Sequence, residues 1–201
     1  DIREISKEDL INFDGIIHLA SLSNDPLGNL NIGLTNEINY KSTVRLAKLA
    51  KENGIKRFVY ASSQSMYGIS TTQNELDEED SEKNPITAYA KTKWNAELYL
   101  KNMNDDNFIV SCFRPSTVFG YSPRLRCDIV FNNLVACAYA RGKIEIFSDG
   151  SPWRPVVHVE DVCDAFIAGL IAPKEIIGGK SFNVGIENGN FTVAELAMAA
   201  Q

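Results

Sequence analysis

The sequence predicts an α/β fold, a parallel sheet covered by helices on both faces with a smaller second lobe beyond it. Three observations point that way. Short apolar runs alternate with amphipathic stretches as far as Phe119, breaker residues separate them, and the pattern changes after Phe119-Gly120. Alternating strands and helices build crossover units whose helices cover the two faces of a parallel sheet.

Taken in order, the run from Gly15 to Ala20 is apolar, bounded by a turn signal and of strand length, and Arg57 to Ala61 is a second such run. A helix is expected between them. It carries Ile38, Val44, Ala47, Leu49 and Ala50 among Lys41, Arg45, Lys48, Lys51 and Glu52, and it stops at Asn53-Gly54. The unit then repeats: a polar loop from Gly68 to Pro85, a helix from about Ala88 to Asn102, and an apolar strand from Phe108 to Phe113. After Gly120 come a loop with Pro and Arg, a helix from Asp128 to Arg141, and short strands around Lys143 to Phe147 and Pro155 to Val159. A helix from Glu160 to Ala172 is closed by Pro173, and Ser181 to Val184 is a further short strand. The last helix starts near Thr192, a good N-cap residue with Glu195 three positions later. Asp1 opens without a preceding strand and the final helix, Ala194 to Gln201, has an unfinished apolar face, so an interior piece of a longer protein is expected.

Composition narrows the function. With 201 residues, 44% hydrophobic and 23% charged, the chain can bury a core and is neither disordered nor repetitive. No apolar run approaches the roughly 18 residues of a membrane helix. Twenty Lys and Arg against 26 Asp and Glu give a net charge of −6, with no basic cluster for nucleic acid, so the expected partner is a small molecule. The four cysteines, Cys112, Cys127, Cys137 and Cys163, form no C-x-x-C pair and are expected to be buried reduced thiols. His18 and His158 are the only histidines, so a conventional zinc site is not expected, nor any other metal site.

Ligands of open α/β sheets sit beyond the carboxyl ends of the strands. Ser21 to Ser23, Ser62 to Ser65 and Arg114 to Thr117 fall there. Such serines can bind a substrate oxygen, and they serve equally to satisfy the backbone of a turn. Tyr89 and Lys93 stand one helical turn apart on one face. A cation close to a phenol favours its ionised form, which lets the phenol move a proton both ways. Tyr139 and Lys143 share the spacing, but Gly142 is expected to end that helix and leave Lys143 in a strand. The Ser62-Ser63 cluster precedes Tyr89 by 27 and 26 residues, across one strand-to-helix connection.

The run FVYASSQSMYG from Phe58 to Gly68, followed by Tyr89-x-x-x-Lys93, resembles the extended short-chain dehydrogenase/reductase superfamily, in particular its NAD-dependent nucleotide-sugar epimerase/dehydratase branch. Also similar are His18-Leu-Ala20 to an H-x-A strand end, Asn39 with Thr43 to an N-x-x-x-T helix start, and Arg114-Pro115 to an R-P strand end. Arg154 to Asp161 resembles an R-x-x-x-H-V-x-D segment, and Asn183 with Gly185 a later Asn-x-Gly strand. The likeness keeps family order along the whole chain. It implies a Rossmann-like doubly wound sheet, incomplete at its start, as the dinucleotide-binding region over residues 1–120. Residues 121–201 would be mainly a substrate lobe, with 154–172 returning to the first region.

By position, the resemblance makes Tyr89 the acid–base residue. Lys93 would hold the nicotinamide ribose and favour the ionised phenol, and Ser63 would orient the sugar hydroxyl. Asp1, Ile2, Leu19, Ala20, Ser21, Asn39, Ala61, Ser62, Arg114 and Pro115 would face the cofactor with Tyr89 and Lys93. Ser63, Gln64, Ser65, Thr117 and Asn133 would face the substrate, with Arg124, Arg126 and Arg154 for a diphosphate, which guanidinium forks suit. Asn39 as helix surface and Arg154 as half of an ion pair between lobes are the plainer readings. Three departures matter. No Gly-rich phosphate loop opens the first unit, so weak cofactor binding is expected of this chain alone. Gln64 and Ser65 stand where sugar 4,6-dehydratases of the superfamily carry Asp-Glu, which disfavours dehydration. Thr117 stands where many relatives have Asn.

The expected function is an NAD(P)-dependent nucleotide-sugar epimerase acting through a transient keto-sugar, with NAD as cofactor and NADP left open. A reductase of the same superfamily, consuming NAD(P)H, and a catalytically silent dinucleotide-binding module are the rivals. A cytoplasmic location is expected, and the superfamily's usual homodimer would use the helices at 38–53 and 88–102.

Overall fold

The computed structural model describes residues 1–23, 25–69 and 76–201, so residues 70–75 of the expected polar loop lie outside the described residues. After a single 3-10 turn at Glu8–Leu10 come β1 (Gly15–His18), α1 (Asp25–Leu30), α2 (Ile32–Asn36), a π turn (Glu37–Lys41), α3 (Ser42–Glu52) and β2 (Arg57–Ala61). A 3-10 turn (Gln64–Tyr67), α4 (Ala88–Met103), β3 (Ile109–Pro115), β4 (Thr117–Phe119) and α5 (Val130–Arg141) follow. The rest is β5 (Trp153–His158), α6 (Val159–Ile171), α7 (Lys174–Ile177), β6 (Lys180–Val184), β7 (Asn190–Thr192) and α8 (Val193–Ala199). The chain divides into two units: Asp1–Arg114 with Ala165–Asn183, and Pro115–Asp164 with Val184–Gln201.

The first unit is built on a sheet of order β1-β2-β3-β6. β1 runs parallel to β2 with Gly15 opposite Arg57, and β2 parallel to β3 with Arg57 opposite Ile109. Side chains alternate across a strand. Phe58, Tyr60, Val110 and Cys112 therefore pack on one face, against Leu46, Ala47 and Ala50 of α3 and Ala96 and Leu100 of α4. Val59 and Phe113 point to the other face, where a Cβ added at Gly169 of α6 would stand 3.1 Å from Val59 and 2.6 Å from the Phe113 ring. Both faces are covered, as near-continuous apolar strands require. α4 starts where the Thr87 hydroxyl accepts the Ala90 N–H at 3.1 Å.

In the second unit β4 pairs parallel with β5, and β5 antiparallel with β7. Leu134 of α5 and Leu196 and Ala197 of α8 bury Val156. Gly142 ends α5 in the left-handed region at φ 64°, and Thr192 and Glu195 form the capping box expected at the start of α8.

Several expectations need correction. Lys143 to Phe147 is not a strand: among the described residues no strand pairs with it. The helical path before β2 starts at Asp25 rather than near Ile38, and its buried stripe is Asn39, Thr43, Leu46, Ala47 and Ala50, with Ile38, Val44 and Leu49 on the shoulder. Asn39 is 1% exposed and so is not helix surface. All four cysteines are free, but only Cys112 is buried; Cys127 and Cys163 are exposed and Cys137 is half-buried. The buried positions of α6 are Val162, Phe166 and Gly169, a helical repeat that passes Cys163 by.

Candidate active site

The carboxyl end of β2 and the first two turns of α4 bring the main candidates together. Lys93 is 3% exposed, and its ammonium donates to the Ala61 carbonyl at 2.8 Å. The same Nζ lies 5.0 Å from the Tyr60 ring centroid and 5.8 Å from that of Tyr89. Attraction to two π faces offsets part of the desolvation. Burial still pushes Lys93 down to about 7, because a charge removed from water is the disfavoured form. One of its three N–H donors is used by Ala61, which leaves donors for a ligand oxygen. The expected helical-turn spacing of Tyr89 and Lys93 is thus realised within α4, with Tyr89 half-buried.

Ser63 follows directly. It is half-buried, and its Oγ accepts the Ser65 N–H at 3.1 Å as the cap of the Gln64–Tyr67 turn, which packs against α4. Gln64 and Ser65 are half-buried in that turn. Ser62 points the other way and donates to Glu97 Oε2 at 2.5 Å. Arg114 lies there too, 1% exposed, its guanidinium occupied by Glu97, Tyr67 and the Glu78 carbonyl. The side chains of Ser62 and Arg114 therefore serve the interior behind the site.

The segment after β1 is the other wall of this unit's candidate cofactor region. Leu19 is 57% exposed, Ala20 is exposed, and the half-buried Ser21 has an Oγ with no hydrogen-bond partner among the described residues. Asn39 fixes this segment: its Oδ1 accepts from Leu22 N at 2.8 Å, and its Nδ2 donates to Leu22 O at 3.1 Å and to Thr92 Oγ1 at 3.3 Å. The π turn carries that amide, an irregularity that often marks functional positions. Thr43 Oγ1 donates to Asn39 O, so it must accept from His18 Nε2 at 2.8 Å, which fixes the His18 tautomer. Burial, and then the Lys93 charge, hold His18 down to about 3. The Asp1 carboxylate pairs with Arg3 at 2.6 Å, and Ile2 packs against the core.

The remaining candidates belong to the second unit. Pro115 and Thr117 are half-buried at β4 and the residues before it, and Arg124 and Arg154 are exposed. Arg126 pairs with Asp128 at 2.6 Å. Asn133 lines a cavity of about 240 Å³ with Cys137, Arg141, Lys143, Glu145 and Phe147. Sequence reasoning missed Glu97, Tyr67 and Tyr60. For Glu97 a signal existed, because it follows Lys93 at the same four-residue interval that separates Lys93 from Tyr89. Among the described residues no His, Cys, Asp and Glu side chains gather into a metal-binding group, and no helix is long and apolar enough to cross a membrane.

The NAD dependent epimerase/dehydratase family model matches residues 1–185. The chain belongs to that family. The UDP-glucose 4-epimerase of Mycolicibacterium smegmatis is 37% identical over 155 residues, which cover 74% of this chain and 47% of that protein. The dTDP-D-glucose 4,6-dehydratase of Mus musculus is 28% identical over 185 residues, covering 92% and 50%. Among solved structures, MoeE5 in complex with UDP-glucose and NAD is similar with a TM-score of 0.84 at 27% identity, covering 100% of this chain and 66% of that one. The chain thus spans about half the length of the curated relatives it matches. Epimerase/dehydratase membership agrees with a sheet whose β1-β2-β3 core is parallel.

Proposed function

We propose that this chain carries the acid–base centre of an NAD-dependent nucleotide-sugar 4-epimerase or a closely related oxidoreductase. The observation that carries the reading is the buried Lys93 ammonium, held on the Ala61 carbonyl over the Tyr89 ring. The residues fit a dinucleotide: Lys93 has spare donors toward a ribose, Ser21 Oγ has no hydrogen-bond partner among the described residues, and exposed Leu19 offers an apolar surface to a ring. NAD, when bound, supplies the acceptor and donor of hydride. Tyr89 Oη takes the proton of the sugar hydroxyl and later returns it, while the Lys93 charge stabilises the negative oxygen that develops. Ser63 donates to the same sugar oxygen and fixes its direction. Gln64 and Ser65 offer no carboxylic acid, so loss of water from the sugar has no local proton donor in this turn.

In the second unit, the cavity beside Asn133 suits the nucleoside: Phe147 is 95% exposed for stacking, and Arg141 and Lys143 supply positive charge. Exposed Arg124 and Arg154 suit the diphosphate. Tyr89→Phe in the full-length protein tests the centre. Turnover falls by about 10²- to 10⁴-fold while NAD binding is retained. Unchanged turnover would remove Tyr89 from the chemistry and favour a binding module.

A further inference from the structure

We propose that Glu97 is a positioning residue, one that sets through Ser62 where Ser63 stands relative to Tyr89; the proposal rests on the enzymatic reading above. Tyr89, Lys93 and Glu97 occupy successive four-residue steps of α4, so one face of the helix carries the phenol, the ammonium and then a carboxylate. Glu97 is fully buried, and Arg114 closes on it with Nη2 to Oε1 at 2.5 Å and Nε to the two oxygens at 3.2 and 3.3 Å. A buried ion pair is seldom more stabilising than well-packed apolar side chains in its place, so stability alone is a weak reason for it. Its geometry supplies another. Oε2 accepts from Ser62 Oγ, directly before Ser63, and Arg114 Nη1 donates at 2.7 Å to the Tyr67 hydroxyl, at the far end of the same turn. Tyr67 in turn donates to Asn183 Oδ1 at 2.8 Å. One ion pair therefore holds both ends of the Ser63–Met66 segment, and its carboxylate end is rooted in the helix that bears Tyr89. Trp94, on the same helix, lies over the guanidinium at 5.7 Å.

Ser181 provides a matched control, since its Oγ also donates to Glu97, at 2.7 Å to Oε1, but from β6. Ser62→Ala and Ser181→Ala each remove one hydroxyl from the same carboxylate, so a purely structural role predicts equal effects. Positioning predicts a split. In the full-length protein, Ser62→Ala lowers kcat about tenfold or more with KM for NAD unchanged, while Ser181→Ala leaves kcat near the parent value. Ser62→Thr, which keeps the hydroxyl, returns most of the lost kcat. Amide hydrogen exchange is followed on the same proteins: residues 62–67 exchange faster in Ser62→Ala and at the parent rate in Ser181→Ala. Equal kcat for the two alanine variants, or equal exchange in that segment, overturns the proposal. A parent protein without turnover sinks the enzymatic reading instead, and the exchange comparison then decides by itself whether Glu97 holds the turn.

Discussion

Lys93 and His18 are two basic side chains that the fold buries side by side, and each makes stability depend on pH in a stated direction. Lys93 titrates near 7 in the folded chain but near its ordinary 10.5 when unfolded. Between those values the unfolded state holds the extra proton, so the Lys93 contribution to stability grows as pH rises from 7 to 10.5 and is lost as pH falls back through 7. The difference in unfolding free energy between the parent and Lys93→Met, measured by denaturant titration across that range, should rise with pH. A flat difference would mean that the ammonium is not desolvated as described. His18, held near 3 against 6.5 unfolded, stabilises above pH 6.5 and loses that contribution as pH falls towards 3. His18→Gln should therefore flatten the acid limb of the stability curve. The Tyr89–Lys93 pair was legible because helical spacing is a local property. That Arg114 and Glu97 turn inward onto each other was not, since hydrophobic periodicity treats a charged residue as solvent-facing, and only the closed ion pair makes both able to face inward.

At the scale of elements, two glycines separate backbone strain from lack of space. Gly142 caps α5 at φ 64° with nothing among the described residues within 4 Å of an added Cβ, so Gly142→Ala carries a conformational cost alone, about 1 kcal/mol. Gly169 in α6 has an ordinary helical backbone but no room. An added methyl meets the Phe113 ring at 2.6 Å, and Phe166 and Phe182 at ring separations of 5.9 and 5.4 Å keep that ring from swinging aside. Gly169→Ala should cost roughly 1–3 kcal/mol by overpacking, visible as a lower Tm than that of Gly142→Ala. An α6 that tolerates the methyl without loss would mean it does not press on the sheet there. Elements with local chemical signals were readable from sequence, among them the Thr192–Glu195 capping box, the Gly142 stop and the apolar strand at Arg57–Ala61. Lys143 to Phe147 misled because a run of strand length becomes a strand only where a partner strand pairs with it. The stripe leading into α3 misled because its inward face turns polar at Asn39, which holds the segment after β1, and at Thr43, which holds Asn39 and His18 of β1.

For the molecule as a whole, the proposed function assigns different groups to each of the two units. The first holds Ser63, Tyr89 and Lys93 on an ion-paired foundation, and the second holds the cavity beside Asn133 and the exposed arginines. Family membership was legible as motifs in order, whereas the proposed choice of epimerisation over dehydration rests on the side chains at Gln64 and Ser65, neither of which is a carboxylic acid. Adding Asp and Glu at those two positions in the full-length protein should open a slow release of dehydrated sugar, detectable by mass spectrometry, where the parent gives none. Epimerisation itself has a direct isotopic test. The full-length protein is given UDP-glucose deuterated at the carbinol carbon, with NAD, and the sugar is analysed after turnover. Deuterium retained at that carbon in the epimer, with no net accumulation of reduced cofactor, is the predicted result; label lost to water, or reduced cofactor building up one for one with an oxidised sugar, would contradict it.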